Sequence, residues 1–596
     1  MRVPRLAIAA LMGLAAFGAK PPAKSTKATK PLTADQRAAA AMMKSMSLRE
    51  RVAQLVIGVA NGEVPSRNSP EYEKFRHSVH DLHIGGMIVN NAVRNGIAQN
   101  AEPHAMALFL NQMQKLAKTP LIVGADFERG VSMRVTQGAR FPYNMALGAG
   151  GDVDAARFEG AVTARDARAL GVHWIFAPVA DVNSNPDNPV INIRSFGEDP
   201  DQVARFVAAY VEGAHSDQKN RVLVTAKHFP GHGDTDVDSH VALARVGASK
   251  ERMQAVEFKP FEAAIAHGVD SIMTAHLAVP AIEPEEIPAT ASAKVLTGLL
   301  RQELGFTGIV VTDALDMAGF ASQFNSGEGP VRAIEAGADV LLMPPDAEHA
   351  IRAVIAAVEN GRLSRQRIDE SVMRVLTAKV RVGVIKKKLV DLDEISDVLD
   401  DPETGERVQQ ISDRAVTLLR NDGNLLPLAP RTKACLFVTV ERRLSQYGQR
   451  MMTEFHRRAP QGRTIIVDAS MPASAMLDEA GDVTTCSAVA VAIFSTGGPL
   501  NPEVSTFIEK LSASGAPMAM VAMGSPYILS AFSKTAAAVA TFSPTVPSEV
   551  SAAKALFGEI AFAGRTPVTI PGVAKSGDGI QLGGGSNARR PAARVQ

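Results

Sequence analysis

Residues 227–240 read Lys-His-Phe-Pro-Gly-His-Gly-Asp-Thr-Asp-Val-Asp-Ser-His and follow directly on the short apolar run Val222–Ala226. These fourteen residues hold three His, three Asp and one Lys. The Pro and the two Gly predict that the chain enters a loop just after the first two residues. An apolar run of this length that ends in a polar loop is typical of a buried strand in a parallel sheet. We therefore predict a strand followed by a functional loop.

Seven further apolar runs repeat this arrangement along residues 46–383, and most gaps between them can hold a helix. The stretches Asp201–Asp217 and Lys250–His267 are two such predicted helices. Alternating strands and helices indicate an α/β fold, and eight units predict closure into a (β/α)8 TIM-like barrel. The seven other predicted strands are Gln54–Gly58, Ile84–Val89, Leu121–Ala125, His173–Pro178, Ser271–Ala275, Ile309–Thr312 and Asp339–Met343.

Polar residues gather where the predicted strands end. Asp126 follows the third run, Lys227 and His228 follow the fifth, His276 the sixth and Asp313 the seventh. In a (β/α)8 barrel these positions share the C-terminal mouth, where active sites lie. Structural residues have no reason to prefer that end, so the pattern predicts an enzyme.

The barrel pattern ends near residue 383, and a second α/β pattern begins near residue 406. We interpret 384–405, with its charge runs, as a solvated inter-domain linker. Residues 406–574 predict a smaller, open α/β sandwich domain, with a helix over Val408–Arg420 and a turn at 421–423. Residues 575–596 are rich in Gly, Ser, Arg and Pro, which predicts a disordered tail. The predicted strands of the second domain are Cys435–Val440, Thr464–Val467, Ala488–Phe494, Met518–Met523 and Ala537–Phe542.

The N-terminus is typical of an exported protein. Arg2 and Arg5 precede the apolar segment Leu6–Ala19, which has the length of a signal-peptide core and is too short to span a bilayer. We predict a signal peptide at 1–19 and a flexible linker at 20–45. The protein would then be periplasmic or secreted, with no integral membrane span.

Composition limits the classes of function. The formal net charge is +1, from 63 Lys and Arg against 62 Asp and Glu, so no basic field favours a nucleic-acid partner. Cys435 and Cys486 are the only cysteines, which excludes multi-cysteine zinc and iron–sulfur sites. In an exported protein the two could form one disulfide, and the sequence leaves this open.

The His- and Asp-rich loop supports three interpretations. His228, His232, Asp236 and His240 are residue types that bind metal ions. Alternatively, Asp238 and His240 stand two residues apart, close enough for a carboxylate to orient an imidazole for acid–base catalysis. The third interpretation is a solvated polar loop without chemistry, which residue types alone favour.

The motif Lys-His-Phe-Pro-Gly-His-Gly at 227–233, followed by Asp-x-Asp-x-Asp-Ser-His at 234–240, resembles the signature of glycoside hydrolase family 3. The resemblance is to its β-N-acetylglucosaminidase (β-hexosaminidase) branch. It covers about residues 46–385 strongly, whereas 405–573 resemble the family's second domain more weakly. Further matching stretches are Asn-Ile-Arg-Ser-Phe-Gly at 192–197, Met-Thr-Ala-His at 273–276, Val-Thr-Asp-Ala-Leu-Asp-Met at 311–317 and Ala-Gly-Ala-Asp at 336–339.

The resemblance implies that anomeric configuration is retained through a covalent glycosyl-enzyme intermediate. Asp313 would be the nucleophile, and His240, oriented by Asp238, would be the general acid/base. A retaining glycosidase needs two such groups flanking the scissile bond. Asp316 is a rival nucleophile three residues on, but Asp313 ends the predicted strand. No metal and no organic cofactor is implied.

The resemblance also implies four sugar-binding residues. Asp126 would accept hydrogen bonds from sugar hydroxyls, and the other three would donate to hydroxyls and to the acetamido carbonyl. Structural alternatives remain, because Asp126 could cap the following turn and Arg194 could pair with Glu198 or Asp199. The four residues are Asp126, Arg194, Lys227 and His228.

Two further histidines have supporting roles in this scheme. His232 would either contact the sugar or only brace the loop. His276 would shape the floor of the site rather than react.

The resulting expectation is an exo-acting β-N-acetylglucosaminidase that hydrolyses muropeptides, chitooligosaccharides or related small glycans. One Trp and five Tyr favour a small pocket over a long aromatic platform for polysaccharides. The alternatives are a β-glucosidase or β-xylosidase, a metal-dependent hydrolase that uses the loop, and a sugar-binding protein without turnover. Phosphorolysis instead of hydrolysis and the oligomeric state stay open.

Overall fold

The computed structural model of this chain describes residues 31–585, except for 63, 95–96 and 441–444. The predicted signal peptide, residues 20–30 of the predicted flexible linker and residues 586–596 of the predicted tail lie outside the described residues. Within the described part, no helix combines the length and the apolar character needed to cross a membrane.

Eight parallel strands form the first domain, as predicted. They pair in the order β7-β6-β5-β4-β3-β2-β1-β8. A parallel bridge between Val311 and Val340 joins β7 to the segment that enters β8, which closes the barrel. The strands are β1 (Val56–Ala60), β2 (Gly86–Val89), β3 (Ile122–Ala125), β4 (Trp174–Ile175), β5 (Leu223–Phe229), β6 (Ser271–Thr274), β7 (Ile309–Val311) and β8 (Leu341–Leu342).

Helices pack outside the barrel and bury apolar faces against it. The predicted helix Lys250–His267 is instead two helices, Lys250–Ala255 and Lys259–Ala266, because Pro260 stands at the start of the second one. The remaining α-helices of this domain are Ala34–Lys44, Leu48–Ala53, Pro70–Arg76, Pro103–Leu116, Asn144–Gly150, Val153–Ala169, Pro200–Ala214, Ala318–Ala321, Glu328–Ala336, Ala347–Glu359 and Arg365–Arg381.

The prediction of a flexible linker at 20–45 is wrong for residues 34–44. Residues Ala34–Lys44 form a helix that starts with a capping box between Thr33 and Gln36. This helix packs against Arg365–Arg381, and its Ala39 is fully buried. Burial against the barrel therefore orders a stretch that the prediction had joined to the Lys-, Pro-, Ala- and Thr-rich segment before it.

The predicted solvated linker at 384–405 is also packed against the barrel. Val384 and Ile395 are buried, and the side chain of Asn111 exchanges two hydrogen bonds with the backbone of Val390. A short helix occupies Ile395–Leu399, and a longer one, Pro402–Ala415, leads into the second domain. The charge runs misled the sequence interpretation, because the apolar residues between them face the barrel.

The second domain is a six-stranded sheet between helices, in the order β9-β14-β13-β12-β10-β11. All neighbours are parallel except β9, which runs antiparallel to β14. Its helices include Gln449–Arg458, Ala473–Ala480, Pro502–Ser512 and Val546–Leu556. The strands are β9 (Thr417–Asn421), β10 (Cys435–Val440), β11 (Thr464–Asp468), β12 (Val489–Ser495), β13 (Met518–Gly524) and β14 (Ala537–Ala540).

Two predictions for this domain are wrong. The predicted helix Val408–Arg420 ends at Ala415, and the residues after it form β9, because pairing with β14 outweighs helical periodicity. Residues 575–585 of the predicted disordered tail are ordered, since Ile580 and Leu582 pair with Leu418 and Phe562.

The structure answers the open question about the cysteines. Cys435 at the start of β10 and Cys486 before β12 form a disulfide with Cα atoms 5.8 Å apart. The bond links the entries of two neighbouring strands of the second sheet.

Candidate active site

The predicted polar residues meet at the C-terminal mouth of the barrel. A cluster of cations and carboxylates lies at the ends of β3 and β5. Lys227 Nζ is 2.7 Å from both Asp126 Oδ1 and Glu128 Oε1. Arg194 donates to both oxygens of Glu128 at 2.9 and 2.7 Å, and Arg134 donates to Asp126 at 2.9 Å. Each carboxylate is thus shared between two cations, which fixes its orientation.

Glu128 and Arg134 were missed by the sequence interpretation. Arg194 pairs with Glu128 and not with either predicted alternative. Glu198 instead binds Thr569 of the second domain, and Asp199 caps the helix Pro200–Ala214. The available signal for Glu128 was its position two residues beyond Asp126, at the end of the same strand.

The cluster keeps its groups charged despite burial. Burial alone would raise the pKa of Asp126, but Lys227 and Arg134 outweigh it and hold the pKa below its ordinary value. Burial would likewise raise the pKa of Glu128, but the charges of Arg194 and Lys227 outweigh it and hold this pKa well below its ordinary value. Burial would lower the pKa of Lys227, yet the two carboxylates raise it. The mouth therefore offers fixed ionic acceptors and donors, which suit the hydroxyl groups of a sugar.

His228 is held by a carboxylate that the sequence interpretation also missed. Its Nδ1 lies 2.8 Å from Asp181 Oδ2, and its backbone N–H donates to the same side chain. Since an ionised carboxylate only accepts, Nδ1 carries the proton, and Nε2 faces Arg194 Nη2 at 3.4 Å. His228 and His232 outweigh the effect of burial and lower the pKa of Asp181, which therefore stays ionised. Asp181 is fully buried in the loop after β4.

His232 lies inside the loop, with both ring nitrogens bonded to loop hydroxyls. Nε2 is 2.9 Å from Ser239 Oγ, and Nδ1 is 2.8 Å from Thr235 Oγ1. Burial lowers the pKa of His232 to about 4, so the ring is neutral near pH 7. These contacts favour the bracing role over sugar contact.

His232 predicts a pH dependence of stability. In the unfolded chain imidazole titrates near pH 6.5, whereas in the folded chain it titrates near 4. Between these values only the unfolded state binds the proton, so stability falls as the pH drops. When the pH drops from 7 to 5, the titration of His232 is expected to lower the free energy of unfolding by about 2 kcal/mol. Urea unfolding at both pH values should therefore show a smaller pH effect in His232→Gln than in wild type. An equal pH effect would contradict this, and His456→Gln on the exposed surface is the matched control.

Asp238 and His240 form a pair at the exposed tip of the same loop. His240 Nδ1 is 2.7 Å from Asp238 Oδ1, and the His240 side chain is 58% exposed. Hydrogen bonds from the backbone and side chain of His240 outweigh partial burial and lower the pKa of Asp238. The carboxylate fixes the proton on Nδ1, which leaves Nε2 to exchange a proton with a ligand.

The loop tip is anchored to the segment that follows β7. Ser239 O accepts a hydrogen bond of 3.1 Å from Gly319 N. Asp313 lies at the end of β7 with Oδ1 accepting from Ala314 N at 2.8 Å. Partial burial and the charge of Asp313 raise the pKa of Asp316, which is the more exposed of the two aspartates. Asp313 is thus the carboxylate at the strand end, beside the His240 loop.

His276 supports this segment from below. Its ring is fully buried against Phe320, and Nε2 lies 3.0 Å from Ala314 O. Burial lowers its pKa, so the ring is neutral and its Nε2–H donates to that carbonyl. His276 therefore positions the residue that follows Asp313.

The arrangement of the His and Asp side chains in the loop bears on the metal-binding interpretation. Across the described residues, no group of three or more His, Cys, Asp or Glu side chains converges as a metal site would require. His228 and His240 bind separate aspartates, and His232 binds hydroxyl groups.

Fold and site together define a (β/α)8 barrel protein with an ionic pocket and an Asp–His pair at its mouth, followed by an α/β domain. Residues 47–378 match the model of the glycosyl hydrolase family 3 N-terminal domain, and 416–588 match that of the family's C-terminal domain. The chain belongs to glycosyl hydrolase family 3, which confirms the predicted resemblance.

Several similar proteins carry related names. A β-N-acetylglucosaminidase/β-glucosidase of Cellulomonas fimi is 32% identical over 370 residues, 61% of this chain and 63% of the relative. β-Hexosaminidase A of Pseudoalteromonas piscicida is 33% identical over 391 residues, 60% of this chain and 63% of the relative. The chain thus spans less than two thirds of either relative. The solved structure of a family 3 β-N-acetylglucosaminidase from Paenibacillus sp. str. FPU-7 is similar, with a TM-score of 0.79 at 34% identity. The match covers 89% of this chain and 99% of the Paenibacillus chain.

Proposed function

We propose that this protein is a retaining exo-β-N-acetylglucosaminidase that releases terminal β-linked N-acetylglucosamine from small glycans. The observation that carries the proposal is the Asp238–His240 pair at the barrel mouth, on the loop anchored beside Asp313. A carboxylate nucleophile and a separate proton donor are what a retaining mechanism requires. The names of the similar proteins support the choice of the acetamido sugar.

The reaction runs in two steps. Asp313 Oδ attacks the anomeric carbon while His240, protonated on both ring nitrogens, gives its Nε2 proton to the glycosidic oxygen and becomes neutral, so the C–O bond breaks and the aglycone leaves as an alcohol. His240 then removes a proton from water, which attacks the same carbon and releases Asp313 as a carboxylate. The hydroxyl groups of the sugar bind the cluster of Asp126, Lys227 and Arg194, which does not react.

The natural substrate is proposed to be a muropeptide or a chitooligosaccharide met outside the cytoplasm. The basic and apolar N-terminal sequence supports export. The Cys435–Cys486 disulfide supports the same location, because disulfides persist in oxidising compartments.

The test is side-by-side turnover of an aryl β-N-acetylglucosaminide and an aryl β-glucoside in buffer with a chelator. We expect a clear preference for the acetamido sugar and no loss of rate on chelation. Preference for the glucoside would reject the acetamido specificity but keep a glycosidase. Activity that the chelator abolishes would favour the metal-dependent alternative. Addition of inorganic phosphate with product analysis separates hydrolysis from phosphorolysis.

A further inference from the structure

The loop between β4 and the helix Pro200–Ala214, residues 181–198, organises most of the sugar-binding mouth. Asp181 at its start holds His228 and the backbone of His232. Asn188 in its middle donates to His232 O at 2.9 Å. Arg194 near its end pairs with Glu128. The position of this one loop therefore controls the orientation of several proposed ligand-binding groups.

The second domain contacts both ends of this loop. Near the start, Asn183 Nδ2 donates to Tyr527 Oη at 2.8 Å. At the other end, Glu198 accepts from the backbone N–H and from the hydroxyl of Thr569, each at 2.7 Å. The Glu198 N–H donates to Pro567 O at 3.0 Å. The two ends are also joined to each other, since Asn183 N donates to Gly197 O at 2.9 Å.

The approach of the second domain to the loop is close enough to restrict the residue type at position 197. Gly197 has a φ of +150°, and a β-carbon there would lie 2.7 Å from Pro567 O. Only glycine fits this contact without a shift of the backbone. The second domain is thus in close van der Waals contact with the end of the loop.

The residue beside Arg194 is buried between the domains. Ile193 is 1% exposed and belongs to the same apolar cluster as Ile528 and Val568 of the second domain. The carbonyl of Arg194 accepts from Asn144 Nδ2 at 2.7 Å, and the helix Asn144–Gly150 contributes Met145 to that cluster. The backbone on which Arg194 stands is therefore fixed by packing against the second domain.

We propose that Tyr527 and Thr569 of the second domain are positioning residues for the sugar site, acting through the 181–198 loop on Arg194. The inference rests on the proposed role of the mouth as a sugar-binding site. It gives the second domain a part in ground-state binding and none in the chemical step. Burial raises the pKa of Tyr527 above its ordinary value, so its hydroxyl stays protonated in alkaline as well as neutral buffers.

The test uses full-length Tyr527→Phe and Thr569→Val, singly and together, with the aryl glycoside that the wild type turns over best. Each substitution removes one hydroxyl and leaves the chain its shape. A lost hydrogen bond of this kind should raise KM about 2- to 10-fold while kcat stays within about 3-fold. The inhibition constant of the free monosaccharide should rise by the same factor as KM.

A double-mutant cycle with Arg194→Ala separates positioning from general stability. If Tyr527 and Thr569 act through Arg194, their effect on kcat/KM should vanish when Arg194 is absent. Equal effects in both backgrounds, or an unchanged KM with a lowered melting temperature, would overturn the proposal. The cycle runs equally with a glucoside, so a wrong sugar assignment would not be mistaken for failure of this inference.

Matched controls remove the same groups elsewhere in the second domain. Tyr447→Phe removes the hydroxyl from the ring that stacks on Phe494, and Thr506→Val removes the hydroxyl at a half-buried position of the helix Pro502–Ser512. Both should leave KM unchanged. A rise in KM in the controls as large as in Tyr527→Phe would contradict a specific effect of the loop contacts.

Discussion

Replacement of Asp313 by Asn is expected to lower kcat/KM by about four orders of magnitude, because an amide cannot form the covalent intermediate. The side chain stands at the end of β7, where the barrel fixes its position, and Ala314 N–H holds one of its oxygens. Asn keeps the size and one oxygen, so binding of the sugar and the fold should be preserved. The measurement is kcat/KM on an aryl β-N-acetylglucosaminide, with the melting temperature as a check on folding.

Asp316→Asn is the matched control, three residues along the same segment. Asp316 is the more exposed side chain, and the charge of Asp313 helps to raise its pKa, so it is the less suitable nucleophile. We expect its loss of kcat/KM to stay below about 10-fold. If the two variants exchange these results, Asp316 is the nucleophile. If neither loses activity on the acetamido sugar but Asp313→Asn loses activity on a glucoside, the substrate's own acetamido group is the nucleophile.

The features that local patterns determine could be predicted from the sequence. A short apolar run followed by a polar residue is a local signal, and it located Asp126, Lys227 and Asp313 at strand ends. The spacing of Asp238 and His240 is also local, and their hydrogen bond is between residues two positions apart.

The partners that barrel closure selects could not be predicted in this way. Arg194 binds Glu128, 66 positions earlier in the chain, whereas the sequence suggested its acidic neighbours at 198 and 199. Asp181 meets His228 only because β4 and β5 lie side by side. The strand β9 of the second domain also depends on a distant partner, because β14 lies more than a hundred residues further along the chain. Helical periodicity ahead of β9 was a local signal, and a distant partner outweighed it.

His240→Ala should have an effect that depends on the leaving group, which makes it the sharper test of the acid/base assignment. An oligosaccharide leaving group is a poor one and needs the proton from His240 Nε2, so we expect kcat/KM to fall about 10²- to 10⁴-fold. An aryl leaving group whose phenol is strongly acidic needs little protonation. For such a substrate we expect kcat/KM to fall less than about 10-fold. The measurement is kcat/KM for a series of aryl glycosides and for a β-linked N-acetylglucosamine disaccharide.

The dependence of kcat/KM on the acidity of the leaving group shows whether His240 donates a proton or only binds the substrate. In the wild type the rate should depend weakly on leaving-group acidity, and in His240→Ala strongly, because the departing oxygen must then carry its negative charge alone. Asp238→Asn should show the intermediate case, since the amide oxygen still accepts from Nδ1 but no longer balances an imidazolium charge. His456→Ala is the control at an exposed position of the helix Gln449–Arg458 in the second domain and should match the wild type. A parallel loss across all leaving groups in His240→Ala would contradict proton donation and assign the side chain to binding, which would leave the acid to be sought among the other groups at the mouth.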